Sequence, residues 1–254
     1  MQVKTKAIVI SSLKFQEKSL IVKCFTLSSG LKSYFVRDAF SSRKASQKIA
    51  YFQPFSILEI EAVHKNKGTL ENFKEIKSAV PFQTIHTDIV KSTMVMFLSE
   101  MLHYSIQEEE KNEQLFLFLE TALTWLDHHD EISNFHLILL LEITKYLGFY
   151  PDTSEIDLLF FEMNEGVFTL FQKANVLSEH ETNLFKKLLE LKFDNDQSYF
   201  INVPSAIGPY NYRVEYKIGK VYLYADYVGS DNRPVRPDNM TVKVTLTDAD
   251  NGGN

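Results

Sequence analysis

Two hydrophobic periods divide the chain. Through residues 1–80, apolar positions alternate with polar ones or gather in short β-branched runs. Val3 to Ile10 begins with alternation and stops at Ser11-Ser12, the pattern of a strand. Ser19 to Leu27, rich in β-branched and aromatic residues, is a second. Ser28-Ser29-Gly30 signals a turn into a third, Leu31 to Arg37, so these two form a predicted hairpin. A polar, basic connection, Ser41 to Lys48, leads to a fourth strand, Pro54 to Val63, with its proline at the edge. His64 to Gly68 turns the chain into a fifth, Leu70 to Lys77. Five strands and a long basic loop fit a small Greek-key barrel of the oligonucleotide-binding (OB) type. Periodicity alone also permits an SH3-like barrel.

From Pro81 to residue 196 the period lengthens to that of a helix. Val90, Met94, Phe97 and Met101 fall on one predicted face of a helix over Thr87 to Ser105. Beyond the polar run 108–112, Leu115, Leu119, Ala122 and Leu126 share a face of a second helix. Ser133-Asn134 offers an N-cap for a third, Phe135 to Leu147, apolar nearly all round and stopped by Gly148 with Pro151 beyond. A helix of that kind belongs at the centre of a bundle. Leu158 to Phe171, turning at Asn164-Glu165-Gly166, reads as a hairpin, and Ser178 to Glu181 is a capping box opening a helix through Leu191. The expected class is therefore α+β: a β-barrel over 1–80, then a helical domain over 81–196.

Residues 197–254 differ from both. Seven of the twelve tyrosines follow Gln197, whereas nineteen of the twenty phenylalanines precede Phe200. Tyr212 to Tyr216 and Lys220 to Tyr224 alternate around Gly219 like a hairpin, Met240 to Leu246 reads as another strand, and Asp248 to Asn254 as a flexible end.

Charge sharpens this division. Residues 1–80 hold 14 cations and 6 anions, a balance of +8. Residues 81–197 hold 7 lysines against 21 carboxylates, a balance of −14, and the remainder is neutral. A basic β-domain joined to an acidic one points to a polyanion on the first and protein contacts on the second. No apolar run reaches the roughly 20 residues of a membrane span, and Ala7 to Ile10 is too short for a signal peptide, so a cytoplasmic location is expected. The single cysteine, Cys24, excludes an intrachain disulfide and any multi-cysteine zinc site, and reads as a small core residue.

Catalytic patterns are missing. There is no nucleophile elbow, P-loop, dinucleotide-binding glycine pattern or metalloprotease helix. Ser11 to Lys14 matches Ser-x-x-Lys by chance. His128-His129-Asp130-Glu131 is a solvated helix end, because adjacent helical residues point to different faces. Asp248 to Gly252 lacks the downstream bidentate glutamate of a calcium loop, and Asn239-Met240-Thr241 is a glycosylation sequon only in a secreted protein. The expectation is a protein without enzymatic activity, metal or cofactor.

Several segments resemble the bacterial recombination mediator family RecO. They are Lys4-Thr5-Lys6-Ala7-Ile8-Val9-Ile10, Glu17 to Val22, Phe25-Thr26 followed by Gly30, Phe52 to Glu61, and His64 to Leu70, in order and at suitable spacing. The family usually has Arg-Gly after the third strand, where this chain has Arg37-Asp38. The likeness continues through the helical domain in pattern, although many relatives carry a four-cysteine zinc site there. Here Leu158 to Phe171 must hold by packing. From about Asp194 the likeness ends. Two explanations for the tail stay open: an appended or divergent β element, or a mis-joined reading frame replacing the family's last helices.

The resemblance implies DNA repair and recombination in the RecF pathway. It implies binding of single- and double-stranded DNA, strand annealing, and cooperation with RecR to load RecA on DNA coated by single-strand-binding protein (SSB). An OB barrel holds single strands with cations on phosphates and aromatic faces on bases. Lys6, Lys32, Arg37, Arg43, Lys44 and Lys48 are the phosphate candidates, with Tyr34 and Phe40 as stacking faces. The family also binds the acidic C-terminal tail of SSB through the helical domain, for which Lys145, Lys186 and Lys187 are candidates. The alternative is a protein-interaction adaptor whose barrel binds no nucleic acid; RNA as the barrel's ligand also stays open.

Overall fold

A computed structural model of the chain describes residues 2–40, 49–65, 70–106, 111–130, 132, 134–191, 193–194, 199–200, 210–217, 220–227 and 244–245. They belong to two compact units, Met1–Tyr199 and Phe200–Asn254.

The first unit opens with strands β1 (Gln2–Phe15), β2 (Ser19–Thr26), β3 (Gly30–Val36), β4 (Ile57–Val63) and β5 (Asn72–Ser78). They form one antiparallel sheet in the order β3-β2-β1-β4-β5. Among the described residues no further strand pair closes the sheet. A single parallel bridge joins Tyr34 on β3 to Glu71, just before β5. In it Phe35 donates its N–H to the Glu71 carbonyl at 2.9 Å, and Glu71 donates to Ser33 at 2.8 Å.

Two strand ends differ from the sequence expectation. β1 runs past Ser11-Ser12 to Phe15, because the register shifts between Val9 and Ser11 and the ladder with β2 resumes at Ser11–Lys23. The serines mark a bulge, not an end. β4 starts at Ile57, not Pro54, because Phe55 takes a left-handed φ of 61°, which no extended run can include.

The sheet buries both of its faces where β1, β2 and β4 meet. Val9, Val22, Cys24, Leu58 and Ile60 pack into one core. Ile8, Ile10, Phe25 and Ile57 point the other way and are equally buried. Phe25 lies 6.0 Å from the ring of Phe116 in the helical part, and β1 contacts the first long helix. This explains the unbroken apolar run Ala7 to Ile10, since a strand covered on both sides needs no polar alternate. Each such side chain contributes roughly 1.5–3 kcal/mol on burial. Cys24 is one of these core residues, and burial pushes its thiol far above the ordinary range.

Four long helices follow: α1 (Ile89–Ser105), α2 (Glu113–His128), α3 (Phe135–Leu147) and α4 (Glu179–Glu190). Asp88 caps α1 by accepting the N–H groups of Val90 and Lys91. The buried face of α1 is Lys91, Val95, Leu98, Ser99 and Leu102, not the expected Val90, Met94, Phe97 and Met101. The helix is turned by one residue, about 100°. The Lys91 ammonium accounts for the rotation: it points inward to Thr84 Oγ1 at 2.8 Å and the Asp127 carbonyl at 3.2 Å. In α2 the expected face of Leu115, Leu119, Ala122 and Leu126 is buried.

Helix α3 contacts α1, α2 and α4, and stops at Gly148, whose φ of 82° suits glycine. It still leaves Leu137 exposed. Between α3 and α4 the short strands β6 (Phe160–Glu162) and β7 (Val167–Thr169) pair across Gly166, as the turn signal predicts. The hairpin is held by packing: Phe161 and Phe168 join Leu141 of α3 and Leu189 of α4 in one core. The capping box of Ser178 and Glu181 opens α4. Two-residue strands β8 (Phe193–Asp194) and β9 (Tyr199–Phe200) follow.

In the second unit β10 (Tyr210–Lys217) pairs with β11 (Lys220–Tyr227), the hairpin expected from the alternation, and β12 (Val244–Thr245) adds a short third strand. Gly219, the rest of Met240 to Leu246, and Asp248 to Asn254 lie outside the described residues. Among the described residues no helix is long and apolar enough to cross a membrane.

Candidate nucleic-acid interface

Strand parity decides which of the candidate cations and aromatics reach solvent. On β3, Lys32, Tyr34 and Val36 share the face that turns into the core, and on β2 their neighbours Cys24, Val22 and Leu20 do the same. Tyr34 is accordingly 0% exposed. Its ring stacks on Phe73 with centroids 4.1 Å apart, and its hydroxyl and His64 Nε2 are hydrogen-bonded at 2.8 Å. The expectation that Tyr34 stacks a base is corrected, because neither face of the ring is free. Lys32, 9% exposed, is corrected likewise as a phosphate contact.

These side chains belong to a polar cluster inside the β-domain. Glu71 is buried, and both its carboxylate oxygens accept the Lys65 N–H, at 2.8 and 2.9 Å. His64 is buried beside it, and desolvation lowers its pKa, as does the nearby Lys32 charge, while Glu71 opposes them. Burial first, then the Cys24 and Glu71 charges, push the Tyr34 hydroxyl far upward. The cluster ties Lys65 to Glu71 and forms the bridge to β3. It is a structural device with no face open to a ligand.

Lys6 leaves β1 on the side of the helices and forms an ion pair with Glu120 of α2 at 2.7 Å. That contact joins the β-domain to α2 and occupies the charge. Arg43, Lys44 and Lys48, with the whole connection Ser41 to Lys48, lie outside the described residues. Arg37 is exposed at the end of β3. Its neighbour Asp38 takes a left-handed φ of 53°, the conformation for which the family's usual glycine is suited and which aspartate tolerates better than most residues. The departure from Arg-Gly therefore keeps the turn while adding a carboxylate.

Phe40 is 38% exposed, and its backbone N–H reaches the Lys18 carbonyl at 3.3 Å. This hydrogen bond draws the end of the β3 turn to the β1–β2 turn. Lys14 stands over the Phe40 ring, 5.3 Å from its centroid. Lys14, Lys18 and Arg37 thus surround one end of the sheet, all exposed, and no carboxylate among the described residues is paired with them. Lys4 and Lys77 differ in this respect: Lys4 lies 3.8 Å from Glu59 and Lys77 3.8 Å from Glu75. Lys14 and Lys18 escape the sequence argument because the first strand was expected to end at Ser12.

The helical candidates sit around the hairpin core. Lys145 on α3 is held by the Glu142 carboxylate at 2.6 and 2.7 Å and lies 4.7 Å above the Tyr150 ring. Lys186 on α4 donates to the Leu158 carbonyl at 2.8 Å and lies 5.6 Å from the centre of the Phe168 ring. Lys187 is exposed. His128 and His129 each place Nδ1 on a backbone oxygen one turn back, and His129 stacks on Trp125. No cluster of metal-ligating side chains occurs among the described residues.

Comparison with known proteins covers most of this architecture. Residues 1–82 match the family described as Recombination protein O N terminal, and residues 86–202 match Recombination protein O C terminal. A protein of Flavobacterium johnsoniae is 88% identical over 200 residues, spanning 79% of this chain and 84% of the relative. One from Flavobacterium psychrophilum is 73% identical over 198 residues, 78% of this chain and 83% of the relative. One from Christiangramia forsetii is 43% identical over 206 residues, 81% and 86%. Each of these relatives is named DNA repair protein RecO. Residues 203–254 lie beyond both family matches.

Proposed function

Since the chain belongs to the recombination protein O family, we propose that it acts in DNA repair and homologous recombination by binding DNA and annealing complementary strands. The β-domain works as an OB-type barrel, with the Tyr34–Glu71 bridge drawing β3 toward β5 at its seam. No covalent chemistry is needed. Two phosphate backbones repel each other, and cations placed between them lower that repulsion so that base pairing proceeds. The protein then works with RecR to let RecA replace SSB, contacting the acidic SSB tail through the hairpin core near Lys145, Lys186 and Lys187. The −14 balance of residues 81–197 keeps DNA off most of the helical domain.

The observation that carries this reading is the group Lys14, Lys18 and Arg37. Lys6 is spent on Glu120, Lys32 on the core, and Lys4 and Lys77 lie near carboxylates, whereas these three face solvent at one end of the sheet with no paired carboxylate among the described residues. They also lie beside the turn that leads into Arg43, Lys44 and Lys48.

Annealing is the decisive activity. Mixing dilute complementary oligonucleotides with the full chain at low salt should accelerate duplex formation at least tenfold with no nucleotide cofactor. Charge reversal of Lys14, Lys18 and Arg37 together should remove most of that acceleration. Equal rates with and without the protein would contradict the reading.

A further inference from the structure

Strands β10, β11 and β12 lie beyond both family matches, which end at residue 202. Their register sorts the hairpin into two sets of residues. Directly opposed residues of an antiparallel pair share a face, and the faces alternate along each strand. One face carries the pairs Tyr210–Tyr227, Tyr212–Ala225, Val214–Leu223 and Tyr216–Val221, with Val244 of β12 beside Val221. It holds no ionic residue over the whole length of the hairpin. The other carries Asn211–Asp226, Arg213–Tyr224, Glu215–Tyr222 and Lys217–Lys220, which include three cations and two carboxylates. Five ionic residues on one face and none on the other is the pattern of a sheet with water on one side and a packed layer on the other.

The second unit does not supply that layer. Among its described residues there is no helix, and β10, β11 and β12 form a single sheet. A hairpin with one short added strand is marginal in water while such a face stays bare.

We infer that the chain forms a two-fold dimer through this unit, the apolar face of one β10–β11 hairpin packing on the same face of a second copy. Three features select a second copy as the occupant. The face is uncharged throughout, so it complements neither an anionic nor a cationic partner but does complement itself. It is also graded: Tyr210, Tyr212 and Tyr227 lie toward the open end, and Val214, Val221 and Leu223 toward the turn. A dyad running across the strands sets the open end of one copy over the turn end of the other. Large residues then meet small ones, as the inner layers of a β-sandwich require. The area fits as well. Strands of eight residues are roughly 27 Å long, so two such faces bury on the order of 1,000 Å², the least that a specific interface needs. The dimer is accordingly weak and concentration-dependent, and its two-fold closure stops further growth.

The test follows the mass of the full chain by sedimentation velocity from about 1 to about 100 µM, where an interface of this size responds to mass action. The mean mass should climb from the 29.4 kDa of one chain toward twice that value. Val214→Lys with Leu223→Lys should hold it at one chain throughout. Glu215→Lys with Tyr222→Lys sets an equally opposed lysine pair on the other face and should leave the climb unchanged. A second readout spares the sheet those charges: Leu223→Cys and, separately, Tyr222→Cys, each treated with a bismaleimide that spans about 10 Å, the spacing of packed sheets. The native thiol does not compete, because Cys24 is fully buried. Leu223→Cys should yield a cross-linked dimer and Tyr222→Cys should not. One chain's mass at every concentration would overturn the inference. So would a dimer that survives the lysines at Val214 and Leu223, one that both lysine pairs weaken equally, or equal cross-linking at the two cysteines. None of these outcomes bears on the DNA-binding reading, which stands or falls separately.

Discussion

Asp127→Ala should lower the free energy of unfolding by about 3–5 kcal/mol, measured by urea denaturation. The side chain, 5% exposed near the end of α2, organises the segment between β5 and α1. Its carboxylate accepts the backbone N–H groups of Gln83, Thr84 and Ile85 at 2.7–3.0 Å and the Thr84 hydroxyl at 3.0 Å. Alanine takes this acceptor from the N–H groups of Gln83, Thr84 and Ile85, and the loss costs about 1–3 kcal/mol where the donor is buried, as at Ile85. It also withdraws an anion from the neighbourhood of Lys91, whose ammonium is 3% exposed and reaches the Asp127 carbonyl and Thr84. Asp127→Asn keeps an acceptor and should cost about half as much. A loss under 1 kcal/mol for alanine would mean that other contacts hold this segment.

The same carboxylate gives a pH dependence of known sign. Burial raises its pKa, but the three N–H donors and the Thr84 hydroxyl outweigh burial and hold it below the usual carboxylate range. Its contribution is therefore present above the unfolded value near ~4 and is lost as the pH falls through the lower folded value.

Acid should weaken the fold well before that, through His136. Its ring lies in the first turn of α3, edge-on to Phe97 of α1, and Nδ1 is buried without a partner. Burial pulls its pKa down to about 4. The unfolded chain takes up the proton near the ordinary value of about 6.5, so the unfolded state binds more protons below that pH. Stability is thus full above pH ~6.5 and falls by up to about 1.4 kcal/mol per unit, roughly 3 kcal/mol by pH 4. His64 and His103, both lowered chiefly by burial, act in the same direction. Urea midpoints at several pH values should show the decline, and His136→Leu should remove the larger share of it. An identical acid slope in the variant would refute the assignment.

Local pattern made most of the elements legible. The strands, the four helices, the capping box at Ser178 and the glycine stop at Gly148 are written in residues within a few positions of each other. What it missed came from partners far along the chain. Tyr34 looked available for stacking because the groups that enclose it, His64 after β4 and Phe73 on β5, arrive from far along the chain. Alternation along Leu31 to Arg37 does place Lys32 beside Tyr34 on one face, but nothing local says that this face is the inner one. The rotation of α1 follows from a lysine drawn inward by Thr84 and Asp127, against the rule that cations face water. Lys14 and Lys18 were missed because two serines resembled a strand end and proved to be a bulge.

The central claim is that the β-domain of this chain binds DNA through phosphates at the Lys14, Lys18 and Arg37 end. Its most direct test is fluorescence anisotropy of a labelled single-stranded oligonucleotide, titrated with the full chain at about 50 and about 200 mM salt. The account predicts an affinity that drops roughly ten- to a hundredfold across that range, as contacts to a few phosphates require. Charge reversal of the three cations should flatten the dependence. No binding at the lower salt, or binding indifferent to salt, would contradict the claim and leave a protein-interaction role for the β-domain.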